Sequence, residues 1–133
     1  MNINDIITKI ELINQELNKD LYNESYANVE LELHADDEVI TGGFDCIDSW
    51  RGGYSEPCLF FGKCASSKEL LKELYFAKSG NKFNGWKGGR FEYSGYDELN
   101  METDFGSYSG DGYIESVELD ENQKIIVIKC FKE

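Results

Sequence analysis

Tyr113-Ile114-Glu115-Ser116-Val117-Glu118-Leu119, then Asp120-Glu121-Asn122-Gln123, then Lys124-Ile125-Ile126-Val127-Ile128-Lys129-Cys130-Phe131 is the clearest β-hairpin in this chain. Both runs are rich in β-branched and aromatic residues, and the four polar residues between them supply the turn. Ile125 to Ile128 is unbroken by any polar residue, which predicts a central strand, or one buried on both faces. A chain that ends this way is built on a sheet.

Working outward from the hairpin, Ser94 to Gly112 is rich in Gly, Ser, Asp and Tyr and reads as a loop, or a weak strand around Met101 to Phe105. Nearer the start, Asn28 to His34 alternates Val29, Leu31 and Leu33 with Glu30, Glu32 and His34, the pattern of a half-buried strand. Asp36-Asp37-Glu38 is a polar turn into a second strand beginning at Val39-Ile40, with Gly42-Gly43 expected at a bulge or bend. Glu56-Pro57 closes the following loop. Cys58 to Phe61 then reads as a further strand, and Arg90 to Tyr93 as another. Two helices complete the plan. Ile3, Ile6, Ile7, Ile10, Ile13 and Leu17 keep the spacing of an amphipathic helix over about residues 3 to 19, with Asn2 or Asn4 as its cap. Ser66-Ser67-Lys68-Glu69 has the form of a capping box and opens a helix to about Lys78, with Leu70, Leu71, Leu74 and Tyr75 on its buried face and Ser79-Gly80-Asn81 as its stop. The expected fold is α+β: one domain over residues 1–133, with an antiparallel sheet of about six strands and two helices.

At 133 residues the chain can bury one core, and its net charge is −13. It holds no apolar run long enough to cross a membrane and its first residues lack a basic signal-peptide start, so a soluble, intracellular protein is expected. Cys46, Cys58, Cys64 and Cys130 form no Cys-x-x-Cys pair, and free thiols are expected. With His34 the only histidine, a zinc site would need ligands gathered from distant segments, and no metal or cofactor is expected. From Glu92 to Glu121 there are ten acids and no Lys or Arg. Such a surface repels a nucleic-acid polymer, whose binding depends on neutralising many phosphates. It leaves room for a small nucleotide in a local basic pocket, or for an acidic protein that mimics DNA and fills an enzyme's basic groove.

Phe83-Asn84-Gly85-Trp86-Lys87-Gly88-Gly89-Arg90-Phe91-Glu92-Tyr93 has the composition of a ligand site. Three glycines allow close backbone approach, while Trp86, Phe91 and Tyr93 offer flat surfaces. From Lys78 to Arg90 there are four basic residues and no acid. That mixture fits a small anionic, aromatic ligand such as a nucleotide; the alternative is a Gly-rich hairpin whose aromatics simply pack. A second stretch echoes it. Arg51, the only arginine besides Arg90, lies between Trp50 and Gly52-Gly53, with Tyr54 following. Arginine at two places in a lysine-rich chain points to a need for its planar, forked donors; a surface arginine stacked on Trp50 or paired with Asp48 is the alternative. Catalysis is poorly equipped: there is no Gly-x-Ser-x-Gly elbow, His34 lies among acids, and the plentiful carboxylates have no distinctive spacing. The expectation is a binding protein rather than an enzyme, with a nucleotide-cleaving enzyme as a rival.

Ser49-Trp50-Arg51-Gly52 with Tyr54 and Glu56-Pro57, a Leu-Leu-containing helix, and Phe83-x-Gly85-Trp86-Lys87-Gly88-Gly89 occur here in that order. Over roughly residues 40 to 115 the chain resembles a family of small phage proteins, and is similar to the type-one Thoeris anti-defence proteins. The resemblance implies a non-enzymatic sponge, active in the cytoplasm of an infected bacterium. It would sequester a cyclic ADP-ribose isomer, such as a glycocyclic ADP-ribose made by a TIR-domain defence enzyme, without cleaving it. It also implies homo-oligomers, dimers or hexamers, with pockets between protomers and a second site for cyclic oligonucleotides. In that role Arg51, Lys87 and Arg90 would take phosphates with the amides of Gly88 and Gly89. Trp50, Phe83, Trp86 or Phe91 would flank or stack the base, and Asn84, Asn100 or Asp104 would bond ribose hydroxyls.

Overall fold

The computed structural model describes residues 1–19, 26–50, 53–80, 82–84, 90–103 and 112–132, with the backbone alone at 50, 53–55, 82, 84, 90 and 91. Among these residues two helices, α1 (Ile3–Asn18) and α2 (Ser67–Lys78), accompany eight strands. These are β1 (Val29–Ala35), β2 (Glu38–Trp50), β3 (Gly53–Gly62), β4 (Lys82–Asn84), β5 (Arg90–Glu92), β6 (Asn100–Met101), β7 (Gly112–Asp120) and β8 (Ile125–Lys132). Six of them close into a barrel in the order β1-β2-β3-β6-β7-β8, and β4 and β5 form a separate hairpin. The class is α+β, as expected.

Closure rests on two parallel joins. β1 pairs with β8 from Val29↔Ile126 to His34↔Phe131, and β3 pairs with β6 at Cys58↔Asn100 and Leu59↔Met101. Parallel neighbours cannot be linked by a tight turn, so α2 and the β4–β5 hairpin occupy the crossover between β3 and β6. β8 is paired along both edges, yet its side chains alternate between buried and half-buried, so only one face enters the core. Its unbroken apolar run therefore supplies Ile126, Ile128 and Cys130 to the interior and leaves Ile125 and Val127 half-covered outside.

The bulge in β2 falls beyond Gly42-Gly43. Those glycines pair regularly, and the register slips between Phe44 and Ile47, where Asp45-Cys46 adds one residue against β3. Gly43 has another cause: a Cβ there would stand 2.3 Å from the carbonyl oxygen of Cys64, so only a bare backbone fits. β3 starts earlier than expected and includes Glu56 and Pro57. Pro57 pairs with Ser49 and lies one residue before the β3–β6 ladder begins, where a missing N–H costs least. The segment around Met101 contributes a strand of two residues only.

Asn2 caps α1: its Oδ1 accepts from the Asp5 N–H at 2.8 Å, and Asp5 Oδ2 accepts from the Asn2 N–H at 3.4 Å. Ser66 caps α2 through its Oγ, which accepts from the Glu69 N–H at 3.4 Å. Gly80, at φ 84°, follows α2 with the left-handed backbone that glycine adopts freely. α2 buries Leu70, Leu71, Leu74 and Ala77, and Tyr75 departs from the expected face: it is exposed and its hydroxyl donates to Glu11 on α1. The helices pack on each other, α1 also against β7 and α2 against β2. Their buried residues form one apolar cluster with the barrel interior. Among the described residues no helix is long and apolar enough to cross a membrane.

Candidate functional site

Two turns carry the chemistry read from the sequence. The β2–β3 turn is bounded by the pair Trp50↔Gly53, and the β4–β5 hairpin by Asn84↔Arg90, Phe83↔Phe91 and Lys82↔Glu92. β4 lies against β2 and β5 against β3, so the two motif-bearing segments are neighbours in space although they stand apart in sequence. The described ends of the basic stretch pair as a hairpin, β4 with β5, in line with the alternative reading of a Gly-rich hairpin.

Tyr93 joins the two segments. It is 3 % exposed, and its hydroxyl donates to the Glu56 carbonyl oxygen at 3.5 Å while also bonding the Ser49 side chain. Burial pushes its phenol up to about 12, with Asp48 and Asp97 adding to the shift and Ser49 opposing it. Phe83 packs beside it, centroid to centroid 5.0 Å, and meets Phe76 of α2 edge-on at 5.8 Å. With 8 % of its surface exposed, Phe83 is an anchor of the hairpin in the core. Asn100 lies at the same junction: its Nδ2 donates to Glu56 Oε2 at 3.2 Å and to the Pro57 carbonyl at 3.5 Å.

The remaining candidates divide by what is described. Trp50, Asn84, Arg90 and Phe91 are placed by their backbones at the two turns. Arg51, Trp86, Lys87, Gly88, Gly89 and Asp104 lie outside the described residues. Tyr93 and Glu56, which tie the turns together, were absent from the expected site. The sequence offers Tyr93 as a flat stacking surface and Glu56-Pro57 as the end of a loop. Neither role is legible without the partner strand.

The described surroundings are acidic, with Asp48, Glu56, Glu92 and Asp97 close by in the chain and Lys78 the described cation at the end of α2. Lys78 Nζ donates to Asn4 Oδ1 at 3.0 Å and lies 5.1 Å from the Tyr75 ring centre. No group of three His, Cys, Asp or Glu among the described residues is arranged to hold a metal. All four cysteines are free thiols. Burial first, then Asp45, Asp48, Glu73 and Glu102, pushes the Cys46 thiol up to about 11. Burial and then Glu32 push Cys130 up to about 12. Neither thiol is poised as a thiolate near neutral pH. His34 engages Glu32 at 2.7 Å and stacks on Phe131.

A cavity of about 440 Å³ opens at the other end of β2, lined by Asp36, Asp37, Glu38, Thr103 and Lys132 among others. Three carboxylates against one ammonium make it a poor receptor for phosphate, so the paired turns remain the site of interest despite the cavity's size. The chain matches no protein-family model, no curated protein and no solved structure.

Proposed function

We propose that this chain is a non-catalytic binding protein that sequesters a small cyclic nucleotide of the cyclic ADP-ribose type. In an infected bacterium it would withdraw that signal from a defence pathway without cleaving it. The observation that carries this reading is the juxtaposition of the β2–β3 turn and the β4–β5 hairpin, because the two segments holding the chain's only arginines are joined through Tyr93. Two forked guanidiniums, the glycine amides and Lys87 suit a diphosphate, while Trp50, Trp86 and Phe91 suit the base. Phe83 supports this arrangement as a packing ring. Sequestration requires nanomolar affinity, about −12 kcal/mol, which calls for near-complete enclosure of the ligand; a homo-oligomer with pockets shared between protomers supplies that.

Isothermal titration with a glycocyclic ADP-ribose, followed by heating and mass analysis of the ligand, tests the reading. Tight binding with the ligand recovered intact is expected. Arg51→Ala and Arg90→Ala should each weaken binding at least about tenfold, roughly 1.4 kcal/mol, with little change in melting temperature. A ligand of altered mass would make the protein an enzyme, and an absence of heat would remove this ligand class.

A further inference from the structure

The outer surface of the barrel carries a feature that nucleotide binding does not use. His34, Phe131 and Tyr113 occupy one cross-strand row, since His34 pairs with Phe131 across β1–β8 and Phe131 with Tyr113 across β8–β7. Their rings are stacked: His34 on Phe131 at 4.6 Å and 12°, Tyr113 on Phe131 at 6.0 Å and 26°. Val39 extends the row across β2 as the partner of His34 and is 57 % exposed, while Tyr113 is 41 % exposed. With half-buried His34 and Phe131 between exposed Val39 and Tyr113, this continuous row across four strands differs from the scattered apolar residues normal on a surface.

The charge around the row selects what can cover it. Glu32 and Glu115 stand two residues from the row on its outer face, and Glu30 and Glu118 lie further along β1 and β7; all are exposed or half-exposed. The described bases on β8 are Lys129, whose Nζ is engaged by Glu118 Oε2 at 3.2 Å, and Lys132, which lines the cavity with Asp36, Asp37 and Glu38. A second copy docking through the same face would set carboxylates against carboxylates. An aliphatic partner would leave those carboxylates uncompensated. A guanidinium satisfies both parts of the surface, because it stacks flat on an aromatic ring and donates in its own plane to carboxylates. A net charge of −13 also steers basic partners toward the molecule.

We propose that the outer face of β1, β8 and β7 docks an arginine-bearing basic segment of a partner protein, with a guanidinium against the exposed Tyr113 ring that ends the Tyr113–Phe131–His34 stack and paired to the glutamates of the same strands. This surface adjoins the nucleotide site where Asn100 pairs with Tyr113, but docking there does not depend on that reading.

The test titrates the full-length, nucleotide-free protein, labelled with nitrogen-15, with two synthetic peptides of equal length and charge, one rich in arginine and one rich in lysine. The arginine peptide is expected to bind at least threefold more tightly, shifting amide resonances of His34, Lys129, Phe131 and Tyr113. Tyr113→Ser, which leaves net charge unchanged, should abolish that preference; Val39→Ser, at a more exposed position, serves as a second variant if Tyr113→Ser lowers the melting temperature. Equal affinity for both peptides, insensitive to either variant, would reduce the effect to general attraction by an acidic chain and overturn the proposal. Shifts confined to residues 90–100 would overturn it as well. So would self-association in sedimentation runs that Tyr113→Ser abolishes, since the occupant would then be a second copy.

Discussion

Asn14 is the buried polar residue on the otherwise apolar face of α1, and both its amide nitrogen and its amide oxygen are bonded. Its Nδ2 donates to Ser67 Oγ at 3.2 Å and its Oδ1 accepts from the Ala27 N–H at 2.9 Å. One side chain thus fixes α1 against the start of α2 and the approach to β1. Asn14→Ala leaves a buried hydroxyl and a backbone N–H without that partner, and should cost about 1–3 kcal/mol in urea unfolding; a loss below about 0.5 kcal/mol would mean that water replaces the amide. Buried acids set the alkaline limit. Cys46, Tyr93 and Cys130 have folded-state values pushed up to about 11, 12 and 12. Between about pH 9 and pH 12 the folded state holds more protons than the unfolded one, so their stabilising contribution is complete below that window and lost as pH rises through it. Melting temperature should fall across the window, less steeply in Cys130→Ala; a profile that the substitution leaves unchanged would remove this thiol as a cause. An aromatic disulfide reagent at about pH 8 should modify both thiols far more slowly than a free cysteine.

The β7–β8 connection shows how an element can be correct in outline and strained in detail. Asp120 Oδ1 accepts from the Asn122 and Gln123 N–H groups at 3.0 and 3.2 Å, which shapes the turn. Lys124 then takes φ 58°, a left-handed conformation that costs a β-carbon-bearing residue about 1–2 kcal/mol. Part of that gain is offset by glycine's greater freedom when unfolded, so Lys124→Gly should stabilise the protein by roughly 0.5–1 kcal/mol. A destabilised variant would show that the lysine side chain contributes contacts of its own. The β4–β5 hairpin makes the opposite case. It is only three residue pairs long, and Phe83 holds it by packing against Tyr93 and Phe76. Phe83→Ala should therefore cost about 3–5 kcal/mol and weaken ligand binding only through lost order, whereas Arg51→Ala and Arg90→Ala act on binding alone. Calorimetry and ligand titration on the same three variants separate these roles.

For the molecule as a whole, a charge of −13 on 133 residues implies internal repulsion, so melting temperature should rise between about 10 and 150 mM sodium chloride as screening shortens its reach. A flat response would mean that attraction lost from the described ion pairs, such as Lys129–Glu118 and Lys72–Glu69, offsets the repulsion that screening relieves. Most of the elements were legible in the chain. The isoleucine spacing, the two caps, the alternation of Val29 to His34 and the final hairpin each depend on interactions within a few residues, and periodicity records those directly. The candidate site was legible as composition and not as geometry. Nothing local to Tyr93 or Phe83 distinguishes a ring that packs from a ring that stacks on a ligand, since Tyr93 is bonded to Ser49 and Glu56, about forty residues away, and Phe83 packs on Tyr93 in turn. Barrel closure belongs with it. The pairings β1–β8 and β3–β6 join segments distant in sequence and run parallel, and their registers are chosen by which faces the interior must share. Local patterning states that a strand has an apolar face; the packed molecule determines which other strand completes it, and here that choice sets the β4–β5 hairpin against β2 and β3.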